Sequence, residues 1–302
     1  DSSKSHIDFS DVYGQKIGKR ALEIAASGNH NILLSGPPGS GKTMLIKRLP
    51  SILPPLNEED AIKVHQIKSI SEKKNCHVSF TPPIRMPHHS ISYAGLVGGG
   101  NPPKPGEISL AHKGILFLDE LPEFNRNVIE VLRQPLEDKE IQISRANVTI
   151  TYPANFLFAG AMNPCPCGYI NDTLIDCECP PQKVRSYWNK ISGPLIDRID
   201  LLLEIPRLKK ENLINQETKD IESSTEILKR VVETRHIQAK RYQSDSYLNN
   251  SLTGKEINKY CELSTQSKNI LKQALDKGLL TGRSYIKTIR VARTIADMDK
   301  ST

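Results

Sequence analysis

The sequence predicts an α/β fold: a mostly parallel sheet flanked by helices, followed by a small helical domain. Three observations lead there. Residues 31–49, NILLSGPPGSGKTMLIKRL, pass from a short apolar run through a glycine-rich loop into an apolar pattern at helical spacing. Residues 114–124, GILFLDELPEF, hold a second short apolar run that ends in two acids. From residue 223 onward, apolar residues recur at helical spacing instead.

The candidate strands are 31–35, 115–118, 156–160 and 200–205, and the helical stretches between them favour parallel pairing. The first strand leads into G-x-x-x-x-G-K-T, from Gly36 to Thr43. Glycines let backbone N–H groups approach an anion closely, and the helix that follows presents its positive end. Gly36, Pro37, Pro38, Gly39, Ser40, Gly41, Lys42, Thr43 and Met44 are therefore the candidate nucleotide-binding loop. Lys42 is placed to reach the β- and γ-phosphates of ATP, and Thr43 to hold Mg²⁺. At the end of the second strand, Asp119 is placed to complete the Mg²⁺ shell and Glu120 to polarise an attacking water.

Residues 81–106 are rich in Pro, Gly and His and too long for a passive connection. Within them, His88 and His89 are read as hydrogen-bonding or DNA-facing. Residues 139–151, KEIQISRANVTIT, alternate around Arg145-Ala146-Asn147 and read as an inserted β-hairpin. The core is expected to span residues 1–206, with a polar linker at 207–222 and a helical lid over the nucleotide at 223–302. In the lid, Thr253 to Glu256 fits a capping box. Ile270, Leu271, Ala274 and Leu275 form an apolar stripe stopped by Gly278, and a last helix turns Ile286, Ile289, Ile295 and Ala296 inward.

The chain has 302 residues and a net charge of +7. Residues 1–220 carry 26 Lys/Arg against 25 Asp/Glu, and residues 221–302 carry 15 against 9, so the basic excess is C-terminal. That permits nucleic-acid binding and equally a solvated helical surface. No apolar run reaches the roughly eighteen residues of a membrane helix, and no basic-then-apolar signal opens the chain. A soluble cytoplasmic protein is expected. Cys165, Cys167, Cys177 and Cys179 form C-x-C, nine residues, C-x-C within a loop at 163–182. Disulfides are unexpected in such a compartment. Four close thiolates suit a structural Zn²⁺, although the single-residue spacing is tighter than usual; free thiols and redox chemistry are the alternatives.

The motifs DVYGQ (11–15), GPPGSGKT, PHHSISYAGLVGGG, KPGEISLAHKGILFLDELPEF, AMNPCPCG (161–168), SGPLIDRIDL (192–201) and RVARTIADMD (290–299) resemble the AAA+ ATPases, and within them the magnesium-chelatase-like ComM/YifB group. The resemblance covers nearly the whole chain. It implies that Gly14 and Gln15 lie in the turn beside the adenine. Asn163 is similar to the first sensor, which contacts the γ-phosphate and water. Arg198 resembles the arginine finger given to a neighbouring subunit, and Arg283 the second sensor. An arginine supplied in trans accelerates phosphoryl transfer about 10³–10⁵-fold.

The hairpin and the long loop match insertions that face the pore and touch DNA in ring-forming relatives. Arg145 is the first candidate DNA contact, against a solvated tip, with Lys104 and Arg85 next. The resemblance implies a hexameric, ATP-driven helicase acting on single-stranded or branched DNA and promoting branch migration in natural transformation. The alternative is a chelatase-type ATPase that remodels a protein partner for metal insertion. Relatives carry an N-terminal domain resembling Lon-protease or ribosomal-S5 folds and continue past RTIADMD, so the given chain is expected to be a fragment.

Overall fold

A computed structural model describes residues 7–71, 77–145, 148–207 and 222–301. Its centre is a five-stranded, wholly parallel sheet in the order β2-β5-β8-β1-β9. These strands are β1 (Ile32–Ser35), β2 (Ile84–Arg85), β5 (Ile115–Leu118), β8 (Leu157–Met162) and β9 (Leu201–Glu204). The four expected strands are present. β2 has only two residues, too few to carry a period, and lies inside the Pro/Gly-rich loop. Strands β5 and β8 are buried throughout, which is why they read as continuous apolar runs.

Alternation assigns their side chains to two cores. Leu33, Leu116, Leu118 and Phe158 enter one; Ile32, Leu34, Ile115, Phe117 and Leu157 enter the other. Helices α1 (Lys16–Gly28) and α2 (Lys42–Arg48) pack around the second core. Helix α3 (Glu58–Ser71) leads to the insertion, where α4 (Tyr93–Val97), β3 (Gly98–Gly99), β4 (Lys104–Pro105) and α5 (Glu107–Leu110) follow one another. β3 and β4 pair antiparallel. Helices α6 (Arg126–Glu130) and α7 (Arg133–Asp138) then lead into β6 (Glu140–Arg145) and β7 (Val148–Pro153). Those two strands form the expected antiparallel hairpin, with Ile141 and Ile143 buried as their alternation requires.

Between β8 and β9 lie α8 (Pro181–Trp188) and α9 (Gly193–Ile196). The C-terminal helices are α10 (Ser224–Tyr242), α11 (Gly254–Tyr260), α12 (Thr265–Asp276) and α13 (Gly282–Met298). The expected capping box of α11 is present: the Thr253 hydroxyl accepts from the Glu256 N–H, and the Glu256 carboxylate accepts from the Thr253 N–H. The apolar stripe expected on α12 is largely uncovered. Ile270 is 60% exposed and Leu275 39%, because no described element covers that face; Leu271 alone joins the cluster of Leu252, Ile257 and Ile289. The expected linker lies almost wholly outside the described residues.

One buried imidazole makes a pH prediction. The His112 Nδ1 accepts the Asn155 N–H at 3.1 Å, which requires a neutral ring. Burial pushes its pKa down from 6.5 to about 4, and the neighbouring Lys113 adds to the effect. The folded-state pKa is depressed, so the unfolded chain takes up the proton first as pH falls. Stability is therefore complete above pH 6.5 and declines toward pH 4, by about 3 kcal/mol. Denaturant unfolding across that range, with His112→Gln as comparison, checks it; equal slopes in both proteins would remove His112 as the cause.

Candidate active site

Strands β5, β8 and β1 are neighbours, so their C-terminal ends deliver three groups to one place: the Asp119-Glu120 pair, Asn163 and the glycine-rich loop. The Lys42 Nζ donates to the Gly36 carbonyl at 2.6 Å and the Pro37 carbonyl at 2.9 Å. It also lies 3.4 Å from the Asn163 Oδ1. Burial pushes this ammonium down from its ordinary value, and Asp119 pulls the other way. The Thr43 hydroxyl donates to the Asp119 Oδ2 at 2.7 Å, which joins the two expected Mg²⁺ ligands directly.

This donor set fits a triphosphate and its metal. Gly39 and Gly41 hold positive φ, and a Cβ at Gly39 would meet nothing within 4 Å, so the loop is open toward solvent. No side chain caps the start of α2, which leaves its first N–H groups for a ligand. Gln15 sits in the left-handed region beside Gly14, and its Nε2 donates to the Ser40 carbonyl at 2.9 Å and the Pro206 carbonyl at 3.0 Å. That amide ties the loop to the exit of β9, where an adenine is expected.

Glu120 has φ 52° and an exposed carboxylate outside the Lys42–Thr43–Asp119 bonds. It has a neighbour that the sequence did not flag for this role. The His89 Nδ1 lies 3.8 Å from the Glu120 Oε2, and the His89 ring stands edge-on to Phe124. A contact between a loop and a strand end about thirty residues apart leaves no spacing signal. The adjacent His88 ring lies against that of His89, with centroids 4.0 Å apart, and its Nδ1 bonds the Ser90 hydroxyl at 2.9 Å.

Arg198 and Arg283 lie at the other edge of the sheet. Asn31 and Asp200 immediately precede β1 and β9, and both line one cleft with Arg198 and Arg283. The Asn31 Nδ2 donates to the Arg198 carbonyl, and the Asn31 N–H to the Asp200 carboxylate. A four-residue strand separates that edge from the glycine-rich loop by roughly 13 Å. Helix α13 runs antiparallel to α1, with Thr294 at His30 and Asp299 at Arg20, which carries Arg283 past the N-terminal edge. The C-terminal helices thus do not form a lid over the chain's own loop, and Arg283 does not join Lys42. The physical reason is packing. The buried faces of α10 and α13 lie along α1, where Arg230 pairs Glu23, and Arg235 and Gln238 donate to the Ala26 and Ser27 carbonyls. Arg198 is held by the Pro194 carbonyl at 2.7 Å and by Glu137, not by the flanking Asp197 and Asp200.

The two insertions pack together. The Tyr152 hydroxyl of β7 donates to the Pro103 carbonyl at 2.9 Å, just before β4. Lys104 is exposed on this unit. The Arg145 side chain lies outside the described residues. Arg85 is engaged elsewhere, in a two-pronged pair with Glu107 at 2.5 and 2.7 Å.

The four cysteines converge. Cys165, Cys167, Cys177 and Cys179 place their sulfurs within 4.8 Å of one another, and all four are free thiols. The backbone N–H groups of Gly168 and Ile170 point at the Cys165 sulfur at 3.2 and 3.4 Å. The Cys167 N–H points at the Cys179 sulfur at 3.4 Å.

Sequence comparison agrees with this geometry. Residues 8–213 match the family described as magnesium chelatase, subunit ChlI, and residues 221–302 match its C-terminal part. The chain is 46% identical over 299 residues to competence protein ComM of Haemophilus influenzae, covering 98% of this chain and 57% of that protein. It is 44% identical over 295 residues to the uncharacterized protein YifB of Escherichia coli, covering 97% and 57%. A 24% identity over 179 residues links it to the magnesium-chelatase 38 kDa subunit of Cereibacter sphaeroides, covering 53% and 54%. The chain thus spans little more than half the length of the curated relatives it matches most fully. No helix among the described residues is long and apolar enough to cross a membrane.

Proposed function

The chain belongs to the AAA+ magnesium chelatase ChlI family of ATPases, and from that premise we propose a ring-forming DNA helicase that promotes branch migration in natural transformation. The carrying observation is the split of the catalytic set. Lys42, Thr43, Asp119 and Asn163 meet at one edge of the sheet, while Arg198 and Arg283 stand at the other. One chain cannot close both on the same phosphate. A ring, hexameric by family resemblance, brings one protomer's arginine edge to the next protomer's loop.

In that arrangement Lys42 binds the β- and γ-phosphates, and Gln15 with Gly14 borders the base. Thr43 and Asp119 would hold Mg²⁺, which would supply charge neutralisation at the phosphates. Asn163 and Glu120 orient and polarise the attacking water, and Arg198 and Arg283 of the neighbour stabilise charge on the γ-phosphate. Support for DNA as the partner is the 46% identity to a competence protein and the packing of both insertions into one unit. Lys104 and Arg145 are the DNA contacts on that unit. Arg85 is a weaker one, since it must leave Glu107 first. The cellular site is the cytoplasm, and the four thiolates hold one structural Zn²⁺.

A labelled four-way junction tests the function. ATP-dependent dissociation of the junction into its component duplexes is expected. Intact junctions, together with hydrolysis stimulated only by a protein partner, would move the chain to the chelatase-type remodelling class.

A further inference from the structure

We infer that the zinc-filled thiolate cluster is a brace that sets Asn163 against the nucleotide loop, so that metal occupancy controls ATP turnover. This rests on the ATPase reading and adds to it a link between two sites.

The cluster has the dimensions of a four-thiolate zinc centre. Zinc–sulfur bonds of about 2.3 Å in a tetrahedron place sulfurs about 3.8 Å apart. Cys165 lies 3.3 Å from Cys167 and 3.7 Å from Cys177, and Cys167 lies 3.6 Å from Cys177. All are well beyond the roughly 2.05 Å of a disulfide. The N–H groups aimed at the sulfurs orient them and offset their charge, as outer-shell partners of metal ligands do.

The placement of the cluster is what makes it more than a staple. Cys165 follows Asn163 by two residues, and α8 begins two residues after Cys179. The metal therefore closes the whole connection between β8 and α8, a segment with no helix or strand of its own. Its first turn rests on the nucleotide loop. Gly168 has φ +88°, and a Cβ there would fall 2.6 Å from Pro38 Cδ and 3.7 Å from Asn163 Cγ. On the other side, the Trp188 Nε1 of α8 donates to the Pro164 carbonyl at 2.9 Å. Asn163-Pro164 is thus held between the cluster, Trp188 and the loop, with the Asn163 Oδ1 turned to Lys42. Opening the cluster frees the anchor two residues from Asn163 but leaves Lys42 and its helix in place.

Coupling between binding equilibria is reciprocal: to the extent that metal steadies the loop against bound nucleotide, nucleotide steadies the metal. Zinc release from the intact protein, driven by a thiol-reactive mercurial and followed with a chromophoric indicator, reads this without any turnover. About one zinc per chain is expected, with release slowed several-fold by a non-hydrolysable ATP analogue. Cobalt substitution is expected to give the visible bands of a tetrahedral thiolate site. Gly168→Ala keeps all four thiolates but pushes on Pro38. It should retain zinc, bind nucleotide within about 3-fold, and lose at least about 10-fold in kcat, with no further loss when combined with Asn163→Ala. Folded protein without zinc, or with an iron–sulfur chromophore, overturns the site. Zinc release indifferent to nucleotide, or unchanged kcat in zinc-loaded Gly168→Ala, overturns the coupling. A zinc-loaded wild type without hydrolysis brings down the ATPase reading beneath the coupling and leaves the metal site standing.

Discussion

Arg198→Ala is expected to lower ATP turnover by about 10³-fold or more while nucleotide binding at Lys42 persists. The argument is one of position and magnitude. Arg198 stands at the sheet edge opposite its own glycine-rich loop, so in the proposed ring its effect would be exerted on a neighbour's nucleotide. In the single chain the guanidinium is parked on Glu137 and the Pro194 carbonyl. Glu137 is about half exposed, and a pair of that kind contributes about 1 kcal/mol or less. A 10³-fold rate effect corresponds to about 4 kcal/mol. Giving up Glu137 to reach a γ-phosphate is therefore favourable when a neighbour docks. Mixed rings separate this from a local role. Arg198→Ala and Lys42→Ala chains are each expected to be nearly inactive alone, and mixing them should recreate some sites with an intact loop from one chain and an intact arginine from the other. Activity that reappears on mixing supports action in trans; mixtures that stay inactive, or a single variant with normal turnover, would reject it.

Glu120→Gln carries the second large effect, a loss of about 10²–10⁴-fold in turnover with ATP still bound. The change keeps shape and removes the carboxylate proposed to polarise the water. Nothing in the nucleotide loop depends on the Glu120 carboxylate, since Thr43 bonds Asp119 and Lys42 bonds the loop carbonyls. Binding measured with a fluorescent nucleotide should be close to normal, whereas Asp119→Asn should weaken the Mg²⁺-dependent part of binding. Near-normal turnover in Glu120→Gln would remove it as the water-orienting group and direct attention to Asn163.

Much of the site was legible in the sequence because its signals are local. The glycine-rich loop sits between one strand and one helix, and the Asp119-Glu120 pair ends an apolar run. Two strands buried on both faces, β5 and β8, explain why those runs were uninterrupted. The hairpin showed itself through Ile141 and Ile143 at period two. What stayed hidden depends on tertiary packing. No spacing places His89 beside Glu120. The preference of α10 and α13 for the length of α1 decides which edge receives Arg283, and it is made by contacts such as Arg230 with Glu23. The stripe on α12 shows the limit of periodicity, which marks an apolar face but not whether the chain supplies a cover for it.

The most direct measurement is steady-state ATP hydrolysis with and without single-stranded DNA, with Glu120→Gln as the control. Hydrolysis that rises with DNA, falls back at high salt as phosphate contacts are screened, and vanishes in Glu120→Gln is the predicted result. Hydrolysis that vanishes in Glu120→Gln but ignores DNA at every salt concentration would contradict the DNA motor and leave an ATPase that works on a different partner.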